Sequence, residues 1–160
     1  MSELLVLAFD QIDTAEKASQ VLADLEAGQV KEVQDAVIVV RHADGKPQIK
    51  QLKRFAGQKA LGGTFWGFLI GLLFLVPALG ALIGTVIGAA YGFLHDAGIP
   101  DDFIRQVGAT IQPETSALFL LVSSDPGQVL LRLKDFNGKL IRTTLSDETV
   151  DHLKDLHAVE

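Results

Sequence analysis

The amino-acid sequence predicts an α+β domain interrupted by an apolar, glycine-rich helical hairpin, and three observations carry that prediction. Short apolar, strand-like runs alternate with segments of helical periodicity on both flanks of the chain. Residues 60–94 hold no charged side chain over thirty-five positions. Within that run glycine recurs every fourth residue, at Gly63, Gly67 and Gly71 and then, beyond Pro77, at Gly80, Gly84, Gly88 and Gly92.

The flanking elements can be justified in order. Residues 3–9 are a nearly unbroken apolar run, as expected of a strand covered on both faces. Asp13 followed by Glu16 resembles a capping box, and Ala15, Ala18, Val21, Leu22 and Leu25 continue at helical spacing until Gly28. Residues 36–41 are β-branched and strand-like. The Asp44-Gly45 pair favours a tight turn that returns the chain through residues 48–52. After the apolar run, Pro100 with Asp101 and Asp102 starts a helix whose buried stripe is Phe103, Ile104, Val107 and Ile111. Residues 117–122 form another solidly apolar strand. The order β-α-β-β-(insertion)-α-β is that of a ferredoxin-like split βαβ domain.

A C-terminal α-β-α extension follows. Asp125-Pro126 opens a helix carrying Val129, Leu130, Leu133 and Phe136, and Asn137-Gly138 turns into a strand over 139–145. Ser146 caps a last helix with Val150, Leu153 and Leu156. The extra strand could extend the sheet within one subunit or pair with the edge of a neighbour. The domain is therefore read as discontinuous, 1–58 plus 96–160, with 59–95 as the insertion.

The insertion reads as two helices, 59–75 and 78–95, broken near Pro77, because proline removes a backbone donor and clashes with the preceding turn. At 1.5 Å per residue each arm would be about 25 Å long, slightly short of a bilayer's hydrocarbon core. Residues 74–79 contain no polar side chain. Three geometries follow: a short transmembrane hairpin, a re-entrant hairpin, or one long kinked helix. Glycine at every fourth position clears one helix face for close backbone approach, so the seven glycines are the candidate packing and oligomerisation seam. Glycine costs about 1 kcal/mol against alanine inside a helix, so seven in register imply a compensating contact.

Charge orients the insertion. No acidic residue lies between Asp44 and Asp96, whereas Lys46, Lys50, Lys53, Arg54 and Lys59 lead into the apolar run. Basic residues beside a membrane segment mark the cytoplasmic side and attract anionic headgroups. Lys50, Lys53, Arg54 and Lys59 are thus candidate interface residues. So are Trp66 and Tyr91, the single Trp and Tyr of the chain, for which a buried packing position is the other reading.

Length and composition bound the rest. The 160 residues suffice for one domain plus an insertion, and the net charge of −6 argues against nucleic acid as a partner. Without cysteine there is no disulfide, iron–sulfur cluster or thiolate zinc site. The N-terminus lacks a basic n-region and a cleavage motif and does not read as a signal peptide. His152 and His157 are spaced i, i+5 and do not share a helix face; His95 reads as a polar helix end and His42 as a turn residue. Nucleophile-elbow, phosphate-loop and metal-spaced motifs are missing, so neither catalysis nor a cofactor is expected.

Together the glycine-spaced hairpin, residues 98–104 (Gly-Ile-Pro-Asp-Asp-Phe-Ile), 113–122 (Pro-Glu-Thr-Ser-Ala-Leu-Phe-Leu-Leu-Val) and 138–146 (Gly-Lys-Leu-Ile-Arg-Thr-Thr-Leu-Ser) resemble the bacterial DUF1269 family of membrane proteins along essentially the whole chain. The resemblance implies a bacterial inner-membrane protein with its globular domain in the cytoplasm, and it supplies no catalytic residue. The expected role is a self-assembling structural or interaction protein that binds lipid and copies of itself. Two alternatives stand beside it. One is an oligomeric pore, for which only Thr64 and Thr85 offer hydroxyls to the lining. The other is a large soluble assembly that buries its hairpins around lipid or another apolar guest.

Overall fold

The computed structural model describes residues 2–27, 33–51, 66, 70, 99–123 and 127–145. Their order is β1 (Ser2–Phe9), α1 (Thr14–Ala27), β2 (Val33–Arg41), β3 (Pro47–Gln51), α2 (Asp101–Thr110), β4 (Thr115–Ser123), α3 (Gly127–Leu133) with a 3-10 turn (Lys134–Phe136), and β5 (Lys139–Leu145). The class is α+β: five strands form one sheet in the order β3-β2-β4-β1-β5, every neighbouring pair antiparallel, with three helices packed on it.

Solid apolar runs occupy the middle of this sheet. Leu4 through Phe9 in β1 and Ala117 through Val122 in β4 are buried at every position. A strand buried on both faces needs no polar alternation, which is why these runs are legible from the sequence. Alternate residues feed two cores. Leu5, Leu7, Ile38, Leu118 and Leu120 pack with Ala15, Ala18 and Leu22 of α1 and with Val129 and Leu133 of α3. Leu4, Val6, Val37, Val39, Phe119 and Leu121 face the opposite way, under Phe103, Ile104 and Val107 of α2, Ile111 just after it, and Trp66, Ile70 and Ile99.

The strand order corrects one expectation. A ferredoxin-like unit built from the first six elements would set the third strand between the first two. Instead β4 lies between β1 and β2, and β3 lies at the sheet edge. The residues explain the exchange. β3 is short, starts with Pro47, which cannot donate to a ladder, and exposes Gln48, Ile49 and Lys50, whereas β4 is apolar enough to be buried on both sides. The open question about the C-terminal strand is also answered: β5 pairs with β1 of the same chain, from Ser2↔Leu145 to Ala8↔Lys139. The last helix expected after Ser146 lies outside the described residues.

Long-range polar contacts fix the ends of these elements. The buried Ser116 Oγ donates to Gln11 O at 2.6 Å and accepts from Ala15 N at 3.1 Å, so β4 satisfies a first-turn amide of α1. Arg41 Nη1 donates to Ile111 O at 2.6 Å and its Nε to Gly45 O at 3.1 Å, tying the β2–β3 hairpin to the end of α2. The turn itself places Gly45 at φ 84°, which accounts for the Asp-Gly pair.

Gly138 follows the left-handed Asn137 (φ 56°) and lies against Phe9. A Cβ at Gly138 would come within 2.6 Å of Phe9 Cε1, and the Phe9 ring is buried and packed edge-on to Phe136 at 6.4 Å between centroids. Gly138→Ala is therefore expected to destabilise the domain by about 1–3 kcal/mol through overpacking, read as a lower urea midpoint with an unchanged slope.

Candidate functional site

The feature with the most unusual chemistry is where the uncharged run meets the sheet. Trp66 and Ile70 are both helical and four positions apart, the spacing that places two side chains on one helix face. Both are buried, at 2% and 0% exposure, in the cluster beneath α2. Trp66 meets Phe119 of β4 edge-on, with ring centroids 6.3 Å apart and planes at 90°. Its indole Nε1 donates to Asp35 Oδ2 at 2.8 Å.

Asp35 owes its position to a β-bulge. The register of β2 against β4 shifts between Val33↔Val122 and Asp35↔Leu121, leaving Gln34 as the additional residue. In a regular strand residues 33 and 35 would share a face. With the bulge, Val33 packs on the α1–α3 side, while Asp35 reaches the indole of Trp66 on the other side. The carboxyl group is fully buried, and its oxygens accept from Ala36 N at 2.9 Å on Oδ1 and from the indole on Oδ2. A buried carboxyl group needs donors, and the indole of Trp66 is one that it uses here.

Ile99, where the chain returns from the uncharged run, is 1% exposed in the same cluster, and Phe103 and Ile104 of α2 follow it there. Two residues of the run and one just beyond it are thus packed into one core. Of the two positions considered for Trp66, interface and interior, the described residues place it in the interior. Lys50 is exposed. It stands opposite Ile38, on the α1 side of the sheet, where its Nζ meets Glu16 Oε1 at 3.3 Å. That is the face away from Trp66, and an ion pair so exposed contributes little to stability. Gly63, Gly67, Gly71, Gly80, Gly84, Gly88, Gly92, Pro77, Tyr91, Lys53, Arg54 and Lys59 lie outside the described residues, as does the proposed hairpin. Among the described residues no helix is long and apolar enough to cross a membrane, and no group of three metal-ligating side chains occurs.

A recess of about 490 Å³ opens between the end of α2 and the β1–β5 pair, lined by Asp10, Gln106, Thr110, Gln112, Thr115 and Lys139 among others. Most of its neutral polar groups are already engaged. Thr110 Oγ1 donates to Gln106 O, Gln112 Nε2 to Ala109 O and Thr115 Oγ1 to Gln112 O, each at 2.6–2.7 Å. Three of its side-chain donors are thus turned to the chain's own carbonyls and not into the recess.

The bulge and the Asp35 contact gave no signal in the sequence. Asp35 sits in Val33-Gln34-Asp35-Ala36-Val37, which reads as the polar lead-in to a strand. The only available signal was the pairing of one interior acid with the single indole donor in a run otherwise poor in donors.

The comparisons with known proteins agree with the sequence reading at the family level. The model of the family described as "Protein of unknown function (DUF1269)" matches residues 60–157, more than half of the chain, and the chain belongs to that family. The match takes in the uncharged run, α2, β4, α3 and β5, while Asp35 lies before it. No curated protein and no solved structure matches the chain.

Because Trp66 is the single tryptophan, its fluorescence reports on this contact alone. Asp35→Ala should shift its emission to the red and cost about 1–3 kcal/mol in urea unfolding, since the indole N–H loses its acceptor. Trp66→Phe, which removes the indole donor from the buried carboxyl group, should also lower the urea midpoint. An unchanged emission maximum and midpoint in Asp35→Ala would show that the contact does not hold the segment to the sheet.

Proposed function

We propose that this DUF1269-family chain is a membrane-associated, self-assembling structural or interaction protein, tethered and oligomerised through the glycine-spaced hairpin of residues 59–95. The single observation that carries this reading is the uncharged run with glycine at every fourth position; its residues Trp66 and Ile70 are packed into one core with Ile99, which follows it. A run of that length without charge suits lipid, and glycines in register suit close contact between helices. Lys53, Arg54 and Lys59 would then meet anionic headgroups on the cytoplasmic side, with Tyr91 at the interface. Lys50, turned to the opposite face of the sheet, and Trp66, inside the core, are left out of that set. The partners are lipid and other copies of the chain, and the reading includes neither a catalytic step nor a cofactor.

In this reading the domain carrying the hairpin has a ferredoxin-like frame drawn from different elements than the sequence order suggests. β1-α1-β2 encloses β4, and β4-α3-β5 encloses β1. These are two interlocked split β-α-β units with α1 and α3 on one face. The turn to β3, the uncharged run and α2 would then be one long excursion between β2 and β4 that covers the other face.

Combining Gly84→Leu and Gly88→Leu should place side chains in the helix seam. The expected outcome is a smaller particle in detergent by sizing with light scattering, while Trp66 emission stays that of the folded domain. An assembly of unchanged mass would overturn the glycine-seam reading. Protein that remains in the aqueous phase after flotation with vesicles would overturn the membrane reading.

A further inference from the structure

The described lining of the recess at the end of α2 holds one acid and one base, and the two are not paired. Lys139 opens β5 directly opposite Ala8, and it lies on the α2 side of the sheet in phase with the buried Ile141. Asp10 follows Ala8 by two positions, just past the end of β1. The ion pairs among the described residues are Asp13–Lys17, Glu16–Lys50 and Glu3–Arg142, so Asp10 and Lys139 are joined there neither to each other nor to another charge. Both are exposed, and both line the same opening.

The neutral lining makes that pair decisive. Thr110, Gln112 and Thr115 donate to carbonyls of the chain, which fixes the walls and takes their protons out of the recess. Arg41, opposite Thr115 on β2, is likewise bound to Ile111 O and Gly45 O. Recognition is left to Asp10, Lys139 and the exposed Gln106 on the helix wall, beside the methyl groups of Ala8 and Ala109. A lone anion drawn to Lys139 would be repelled by Asp10, and a lone cation the reverse. A molecule bearing both charges meets an opposite one at each end, through charge-assisted hydrogen bonds. The volume of about 490 Å³ is that of a site for a small molecule.

We propose that this recess binds a small aliphatic zwitterion. Its primary ammonium rests on the Asp10 carboxylate, its anionic oxyacid group on the Lys139 ammonium, and a short alkyl chain joins them along Ala8 and Ala109. Free amino acids have that chemistry, and so does a phosphoethanolamine headgroup. The site is built from the ends of β1, β5 and α2, and it does not depend on how residues 59–95 are used.

Saturation-transfer NMR on the full-length protein tests this with glycine, γ-aminobutyrate and O-phosphoethanolamine, and with butyrate and butylamine as probes of one charge each. At least one zwitterion should bind saturably, and butyrate and butylamine about tenfold or more weakly, since each forgoes one charge-assisted contact. Tighter binding of O-phosphoethanolamine than of the amino acids would identify the headgroup as the source; the reverse order would identify free amino acids. Asp10→Asn and Lys139→Gln should each weaken the zwitterion about tenfold, with the urea midpoint and Trp66 emission unchanged. Lys134→Gln makes the same charge change on an exposed side chain outside the recess lining and should leave binding as it was. Absence of saturable binding by all three zwitterions would overturn the site. Butyrate or butylamine binding as tightly as the zwitterions would overturn recognition of two charges. Unchanged affinity in Asp10→Asn or Lys139→Gln, or an equal loss in Lys134→Gln, would overturn the assignment to these residues. None of these results bears on flotation with vesicles, so the membrane reading stands or falls separately.

Discussion

The sheet is apolar on both sides through its middle, and the rest of the structure answers to that constraint. β1 and β4 bury every residue from Leu4 to Phe9 and from Ala117 to Val122, so water has to be kept from two faces. One face is closed by α1 and α3, which stand side by side over Leu5, Leu7, Leu118 and Leu120. The other has only α2 as a complete described helix, and α2 packs toward the β5 side of the sheet. Among the described residues, Trp66 and Ile70 join α2 in covering that face, with Trp66 against Phe119 of β4. At about 1.5–3 kcal/mol for each large apolar side chain buried, two such residues amount to a substantial fraction of a domain's net stability.

That dependence changes what the uncharged run is. Read from composition, residues 59–95 are a module inserted into a domain that could fold around it. The buried Trp66 and Ile70 share one cluster with Val37, Val39, Phe119 and Leu121 of the sheet. The Asp35 carboxyl group makes the same point in polar terms. Hydrophobic burial alone tolerates a helix sliding or turning on a sheet, because it is non-directional. A hydrogen bond of 2.8 Å between a buried carboxyl oxygen and the one indole N–H in the chain fixes a single register.

How much of this was legible follows from how local each signal is. Continuous apolar runs gave β1 and β4, and a stripe at helical spacing gave α2, because burial on two faces or on one face leaves a mark within a few residues. The Asp44-Gly45 turn was likewise local. Strand order was not. β4 lies between β1 and β2 through pairings such as Leu5↔Leu120 and Val37↔Phe119, which join residues more than eighty positions apart and have no counterpart in any short window. The choice of β3 as edge strand could be read only afterwards, from Pro47 and the exposed Gln48 and Lys50. The bulge at Gln34 was invisible because one residue of slack in a polar lead-in looks the same whether the strand is regular or kinked. For Trp66, the amphipathic ring suits a headgroup region and a half-polar core equally well, and only the position of its acceptor separates them.

The location of that acceptor carries the final consequence. Asp35 belongs to β2, in the N-terminal part of the chain, while the family match begins at residue 60. The contact that orients the uncharged run on the sheet thus joins a residue before the matched region to one within it. If the run serves as a tether, its outgoing direction is set by the sheet and not by lipid, because Trp66 is already immobilised before the chain reaches Gly71. A domain joined to its tether through a flexible linker would sample many orientations. One joined through a buried hydrogen bond and an edge-on ring pair presents the same face each time. Copies held in one orientation can repeat the same helix contact around a closed assembly, which is the condition a glycine seam needs in order to oligomerise.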